Sequence, residues 1–155
     1  MTVRISTGLG SGMANAVRTA MTDGVIAVYD GVQPANANDP PNGTFIGYVT
    51  KDGNAWVDGD TTDGLEFEVV AGLVLAKSTT QVWRLTADAG LVGTAVARWG
   101  RFIQNTGEDG SQSTTLNRID FAVGVNTGEL RLAFTSFTAG QTADVTAFTA
   151  TQKQE

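Results

Sequence analysis

The sequence predicts a mainly β protein, a two-layer antiparallel β-sandwich of jelly-roll type with one short N-terminal helix, and three observations carry that prediction. Short runs of β-branched and aromatic residues, about nine of them, recur at the roughly 8–12-residue spacing of sandwich strands. Glycine is abundant, 19 residues against 3 prolines, which suits short strands joined by many turns. Helical periodicity occurs once, and one helix is too little to cover so large a sheet, so two sheets are expected to cover each other. A chain of 155 residues fits one domain that buries its own core. The expected division is an extended N-terminal arm over residues 1–11 and a single β domain over 12–155.

Taken in order, Met1 to Ser11 is polar and glycine-rich, with Val3, Ile5 and Leu9 as its apolar contact residues. Met13, Val17, Ala20 and Met21 follow at helical spacing, with Ser11 as N-cap and Asp23-Gly24 as the stop signal. Val25 to Asp30 is a compact strand, and Gly31 to Gly43 is a long loop with Pro34, Pro40 and Pro41, of the length that functional loops have. In the strand Thr44 to Thr50, Ile46 and Tyr48 are expected on one face and Phe45 and Val49 on the other. Leu65, Phe67 and Val69 alternate with Glu66 and Glu68 as a half-buried strand, and Gly72 to Lys77 is another.

The stretch Gln81 to Asp120 holds Trp83, Trp99 and most of the arginines. Its first two strands, Thr80 to Thr86 and Thr94 to Ile103, flank Asp88-Ala89-Gly90 and are expected to pair as a hairpin. After the polar loop Asn105 to Thr115, Ile119, Phe121, Val123 and Val125 alternate with Arg118, Asp120 and Ala122. Asn126-Thr127-Gly128 is a turn, Leu130, Leu132 and Phe134 return on one face, and Asp144 to Thr151 is the last strand.

Composition excludes several classes of chemistry. The net charge is −6 and the basic residues form no run, which argues against nucleic acid as a partner. With neither cysteine nor histidine, disulfides, thiolate nucleophiles, zinc-thiolate sites and imidazole-based triads are all unavailable. No apolar run approaches the roughly 20 residues that span a bilayer, and the first residues lack signal-peptide character, so synthesis in the cytoplasm with no membrane partner is expected.

Carboxylates are then the remaining catalytic candidates, Glu66 and Glu68 foremost, although a solvated strand face explains them more simply. Asp58, Asp60 and Asp63 imitate a calcium loop but have the wrong spacing, with Thr62 and Val69 where an EF-hand places ligands. No metal, cofactor or catalytic residue is therefore expected. Arg98, Arg101, Arg118 and Asp120, with Arg84, are candidates for pairing either across an interface or within the chain.

The order of short motifs resembles a family of small virion structural proteins of tailed bacteriophages and prophages. The motifs are Gly31-Val-Gln33-Pro34 after a strand, Gly43-Thr44-Phe45, Gly64-Leu65-Glu66-Phe67, Val82-Trp83, Gly93-Thr94-Ala95, Trp99-Gly100-Arg101-Phe102, and Asp109-Gly110-Ser111 followed by Ser113 to Asp120. The likeness covers Gly12 to about Thr149. It implies a particle component and leaves its place in the particle open; the leading expectation is a non-enzymatic capsid decoration (cement) protein on the outside of an icosahedral shell. Its partners would be other virion proteins, chiefly the major capsid protein, and further copies of itself, a trimer being favoured. The competing expectations are a neck, tail or fibre component and a carbohydrate-binding attachment module that uses Trp56, Tyr48 or Trp99.

Overall fold

A computed structural model describes residues 6–69 and 74–151. One helix, α1 (Thr7–Ala20), precedes eleven strands among these residues: β1 (Val25–Tyr29), β2 (Phe45–Lys51), β3 (Phe67–Val69), β4 (Val74–Lys77), β5 (Trp83–Ala87), β6 (Ala95–Val96), β7 (Trp99–Ile103), β8 (Arg118–Gly124), β9 (Leu130–Leu132), β10 (Ser136–Phe137) and β11 (Thr142–Thr151). The mainly β class is as expected, but the layers are not those of a clear two-layer sandwich. Strands β11, β5, β2, β1, β7, β8 and β9 are hydrogen-bonded in that order, and β9 pairs back onto β11. The result is a closed seven-stranded barrel, extended by β3 and β4 on β11 and by a small β6–β10 pair.

The physical cause of closure is the length of β11. Its ten residues pair in turn with β5 at Thr142–Asp144, with β9 at Val145–Phe148 and with β4 at Thr149–Thr151. A sheet that meets itself needs no second sheet to cover it, because its own inner face becomes the core. Ile26, Val28, Leu85, Phe102, Phe121 and Phe148 form part of that interior and are all nearly inaccessible.

The expected hairpin between the two tryptophan strands does not form. β5 pairs with β2 and β11, whereas β7 pairs with β1 and β8, because the β1–β2 hairpin is inserted between them. Gly47 permits this insertion: a Cβ there would lie 2.0 Å from the Thr86 carbonyl oxygen, so only a glycine lets β2 approach β5 so closely. The turn Asn126–Gly128 likewise does not produce an antiparallel hairpin. The chain loops back beside Ala122 at Gly128, whose φ is +84°, and β9 then runs parallel to β8 at Val123↔Leu130 and Gly124↔Arg131.

The helix starts at Thr7 rather than after Ser11, so the expected arm is helical from residue 7 onward. Ser6 is the cap: its hydroxyl oxygen accepts from the Leu9 amide at 3.2 Å. The buried stripe is Gly10, Ala14, Val17 and Met21, one step round the helix from the one expected, and Met13 and Ala20 are exposed. Asp23, at φ +60°, and Gly24 end the segment as predicted.

Candidate functional site

The outer wall of β1, β2, β7 and β8 carries a second, largely buried layer, and three of the predicted site residues, Arg101, Arg118 and Asp120, meet in it. Because side chains alternate along β7, Phe102 enters the barrel while Trp99, Arg101 and Ile103 face outward. Over them fold the two polar loops, residues 31–43 and 104–117. Ser113 donates its amide to the Asn38 carbonyl at 2.9 Å, and Arg101 donates Nη1 to the Asp39 carbonyl at 2.7 Å, so both loops are tied down.

Two bidentate ion pairs anchor this layer. Arg101 donates Nε and Nη2 to the two carboxylate oxygens of Asp120 at 2.7 Å each, with side chains 1% and 4% exposed. Arg118 donates Nε to Glu108 at 2.7 Å and Nη2 to its other oxygen, again with the side chains buried. Burial pulls the Arg101 guanidinium down, but hydrogen bonds and charge from Asp120 outweigh it and hold the group above its ordinary value. Among the described residues two further arginine pairs are exposed: Arg98 with Asp30 at 3.0 Å, and Arg84 with Asp144 at 2.6 Å.

An aromatic chain lies beside the ion pairs. Tyr29 stacks on Trp99 at 4.5 Å, Phe45 meets Tyr29 edge-on at 5.6 Å, and Tyr48 bridges Phe45 and Trp56 at 4.8 and 5.2 Å. A register shift between Val28 and Tyr29 makes this possible, since it puts Ile46 and Val49 in the core and Phe45 and Tyr48 outside. The expected split of β2 faces is corrected by that bulge. A pocket of about 270 Å³ opens among Tyr29, Phe45, Tyr48, Arg101 and Glu108, and a groove of about 480 Å³ continues past Trp56 toward Asn54 and Asp88.

Tyr29 records the electrostatics of this layer. Desolvation first, then the neighbouring Tyr48, Glu108 and Asp120, push its hydroxyl up to about 12, with Arg101 opposing. Since the folded value lies above the unfolded one near 10, the neutral tyrosine stabilises the fold fully below pH 10. The contribution, up to roughly 2 kcal/mol, is lost as pH rises from about 10 to about 12. Tyr29→Phe should flatten that alkaline slope in denaturation curves measured at pH 9, 10 and 11. An unchanged slope would remove Tyr29 from the account.

No family model, curated protein or solved structure matches the chain.

The other candidates fall elsewhere. Glu66 and Glu68 line a shallow hollow with Arg18, and Glu68 accepts from the Thr79 amide and hydroxyl at 2.6 and 2.9 Å. Those hydrogen bonds hold its carboxyl below the usual range, the opposite of what a general acid needs. Asp58, Asp60 and Asp63 accept from Gly107, Thr62 and Asn54 respectively, and no cluster of three metal-ligating side chains occurs among the described residues. Leu9 lies exposed on α1, while Val3 and Ile5 fall outside the described residues. Sequence reasoning passed over Glu108, Asp30, Tyr29 and Asp39. Asp30 carried the one available signal, an acid directly before Gly31 at a strand end, where its carboxylate accepts from the Gly31 and Val96 amides.

Proposed function

We propose that this chain is a non-enzymatic structural component of a tailed-bacteriophage particle, a capsid decoration protein bound to the outer surface of the shell. The observation that carries the reading is the closure of the charged layer. Arg101 with Asp120 and Arg118 with Glu108 form buried bidentate pairs, and Arg101 also holds the Asp39 carbonyl, so the two long loops are tied over the outer wall. Both carboxylates are engaged by arginine, whereas a catalytic acid or base needs a carboxylate free to meet a substrate. The acidic balance of the chain adds support, since net charge limits self-association of a protein displayed at high density. The motif order from Gly31 to Asp120 supplies the virion context. On this reading the protein is made in the host cytoplasm and works in the virion.

Copy number in purified particles tests the proposal. Hundreds of copies per particle are expected, and about a dozen would assign the chain to the neck, tail or fibre instead. A second reading, host-glycan attachment, is favoured by the groove past Trp56 and Tyr48, whose aromatic rings offer stacking surfaces. Trp99, fully covered by Tyr29, is withdrawn from it. Binding on a glycan array that Trp56→Ala abolishes would favour this reading over decoration.

A further inference from the structure

Phe45, Tyr48 and Trp56 line the groove of about 480 Å³ that runs over β2 and β5, and all three are half-buried. Tyr48 stands 5.2 Å from Trp56 with the ring planes 61° apart, and 4.8 Å from Phe45 with the planes 59° apart. The rings therefore meet as corners and do not form a level platform. The remaining lining is small: Gly53, Ala55, Ala87, Ala89 and Gly140 leave a channel beside the rings.

The charges around the groove are of one sign. Asp88 is exposed in the lining; one of its carboxylate oxygens accepts from the Gly90 amide at 2.6 Å, and the other has no partner among the described residues. No lysine or arginine lines the groove among the described residues. Tyr48 registers the same field, since burial first, then the Glu108, Asp88 and Asp58 carboxylates, hold its hydroxyl above the ordinary tyrosine value. The two buried tryptophans already have a cation from within the chain: Lys77 Nζ lies 6.0 Å from the Trp83 ring and the Arg101 guanidinium 5.7 Å from the Trp99 ring. Trp56, the half-buried one, has no such cation among the described residues.

We propose that this groove receives an arginine side chain of a partner protein. The guanidinium lies in a ring corner, where centroids 4.8 to 5.2 Å apart let one cation come within about 6 Å of two rings at once, and Asp88 supplies the countercharge. The aliphatic stem covers the alanine and glycine floor. Arginine suits the site better than lysine, because its planar guanidinium is more weakly hydrated and stacks on aromatic faces. A sugar is the poorer occupant, since it stacks flat on a ring face and a run of sugars needs successive faces turned the same way. This deepens the decoration reading by naming a docking surface and the chemistry it takes, and rests on that reading only for the partner's place in the shell.

The experiment uses the full chain in solution and needs no particle, so its failure is separate from failure of the decoration reading. Acetyl-arginine amide, titrated into isotope-labelled protein, should shift the Trp56 indole resonance and the amides of residues 45–48 and 86–89. Acetyl-citrulline amide has nearly the same shape without the charge and should bind about threefold or more weakly, and the arginine probe should lose as much on Asp88→Asn and on Trp56→Ala. Asp88→Asn keeps a side-chain oxygen for the Gly90 amide, so it reads the charge even where Trp56→Ala does not fold. Choline stands in for a lipid headgroup and methyl glucoside for a glycan, and both should bind more weakly than the arginine probe. Equal binding of the citrulline and arginine probes, an Asp88→Asn variant that binds like the parent, or shifts absent or confined to another surface would each overturn the proposal. Tighter binding of choline or of methyl glucoside in the groove would overturn it in favour of that ligand.

Discussion

Trp83→Ala is expected to lower stability by about 3–5 kcal/mol, a large share of the 5–15 kcal/mol that holds an ordinary domain together. Trp83 is fully buried, edge-on to Phe67 at 4.9 Å and 5.7 Å from Phe148, so it joins β3, β5 and β11 where the barrel closes. Its Nε1 also donates to Gln81 Oε1 at 3.0 Å, and that same oxygen accepts from the Glu66 amide. Trp83→Phe keeps most of the buried area and loses the hydrogen bond, so its cost should be nearer 1 kcal/mol. Urea midpoints at constant m-value measure both. An alanine variant within 1 kcal/mol of the parent would mean that closure does not depend on this contact.

Asp120→Ala is expected to cost as much, about 3–5 kcal/mol, for a different reason. It strands the Arg101 guanidinium in a site 1% exposed, with only the Asp39 carbonyl still bound. The expected signature is non-additivity: removing both partners, as Arg101→Met with Asp120→Leu, should recover most of the loss, since an apolar pair leaves no buried charge unpaired. Arg118 behaves alike toward Glu108. Arg118→Glu should destabilise strongly and the exchange with Glu108→Arg should restore part of the loss, all within one chain and at any protein concentration. A double-variant loss equal to the sum of the two single losses would show that the partners are not coupled.

The alternation of Ile119 and Phe121 against Arg118 and Asp120 was legible in the sequence because a strand has a fixed two-residue period. So were the Leu65–Phe67 face and the stop at Asp23-Gly24. Strand partners were not. The pairing of β5 with β2, and of β7 with β1, is decided by an insertion that no local pattern reports. The Phe45 and Tyr48 faces were misassigned because one bulge reverses every later side chain. The helix start was placed late because Gly8, Gly10 and Gly12 lower helix propensity, and the cap at Ser6 overrides them. Of the outer layer, Arg101, Arg118 and Asp120 were recognisable as pairing residues, but which of them meet was not, and nothing marks Glu108 as the partner of Arg118 until the loop between them is folded.

The length of β11 also constrains the order of events at the ribosome. β4, β5 and β9 all precede β11 in the chain, and each hydrogen-bonds to it. During synthesis these strands emerge with edges that have nothing to pair with, and the barrel stays open until its last staves arrive. Contacts so distant in sequence make for slow folding, in the millisecond-to-second range, and leave a nascent chain exposed to chaperones and to its own neighbours on a polysome. A stall before Thr142 would therefore release a chain with no closed barrel, whereas a chain that has passed Thr151 carries every strand the closure requires.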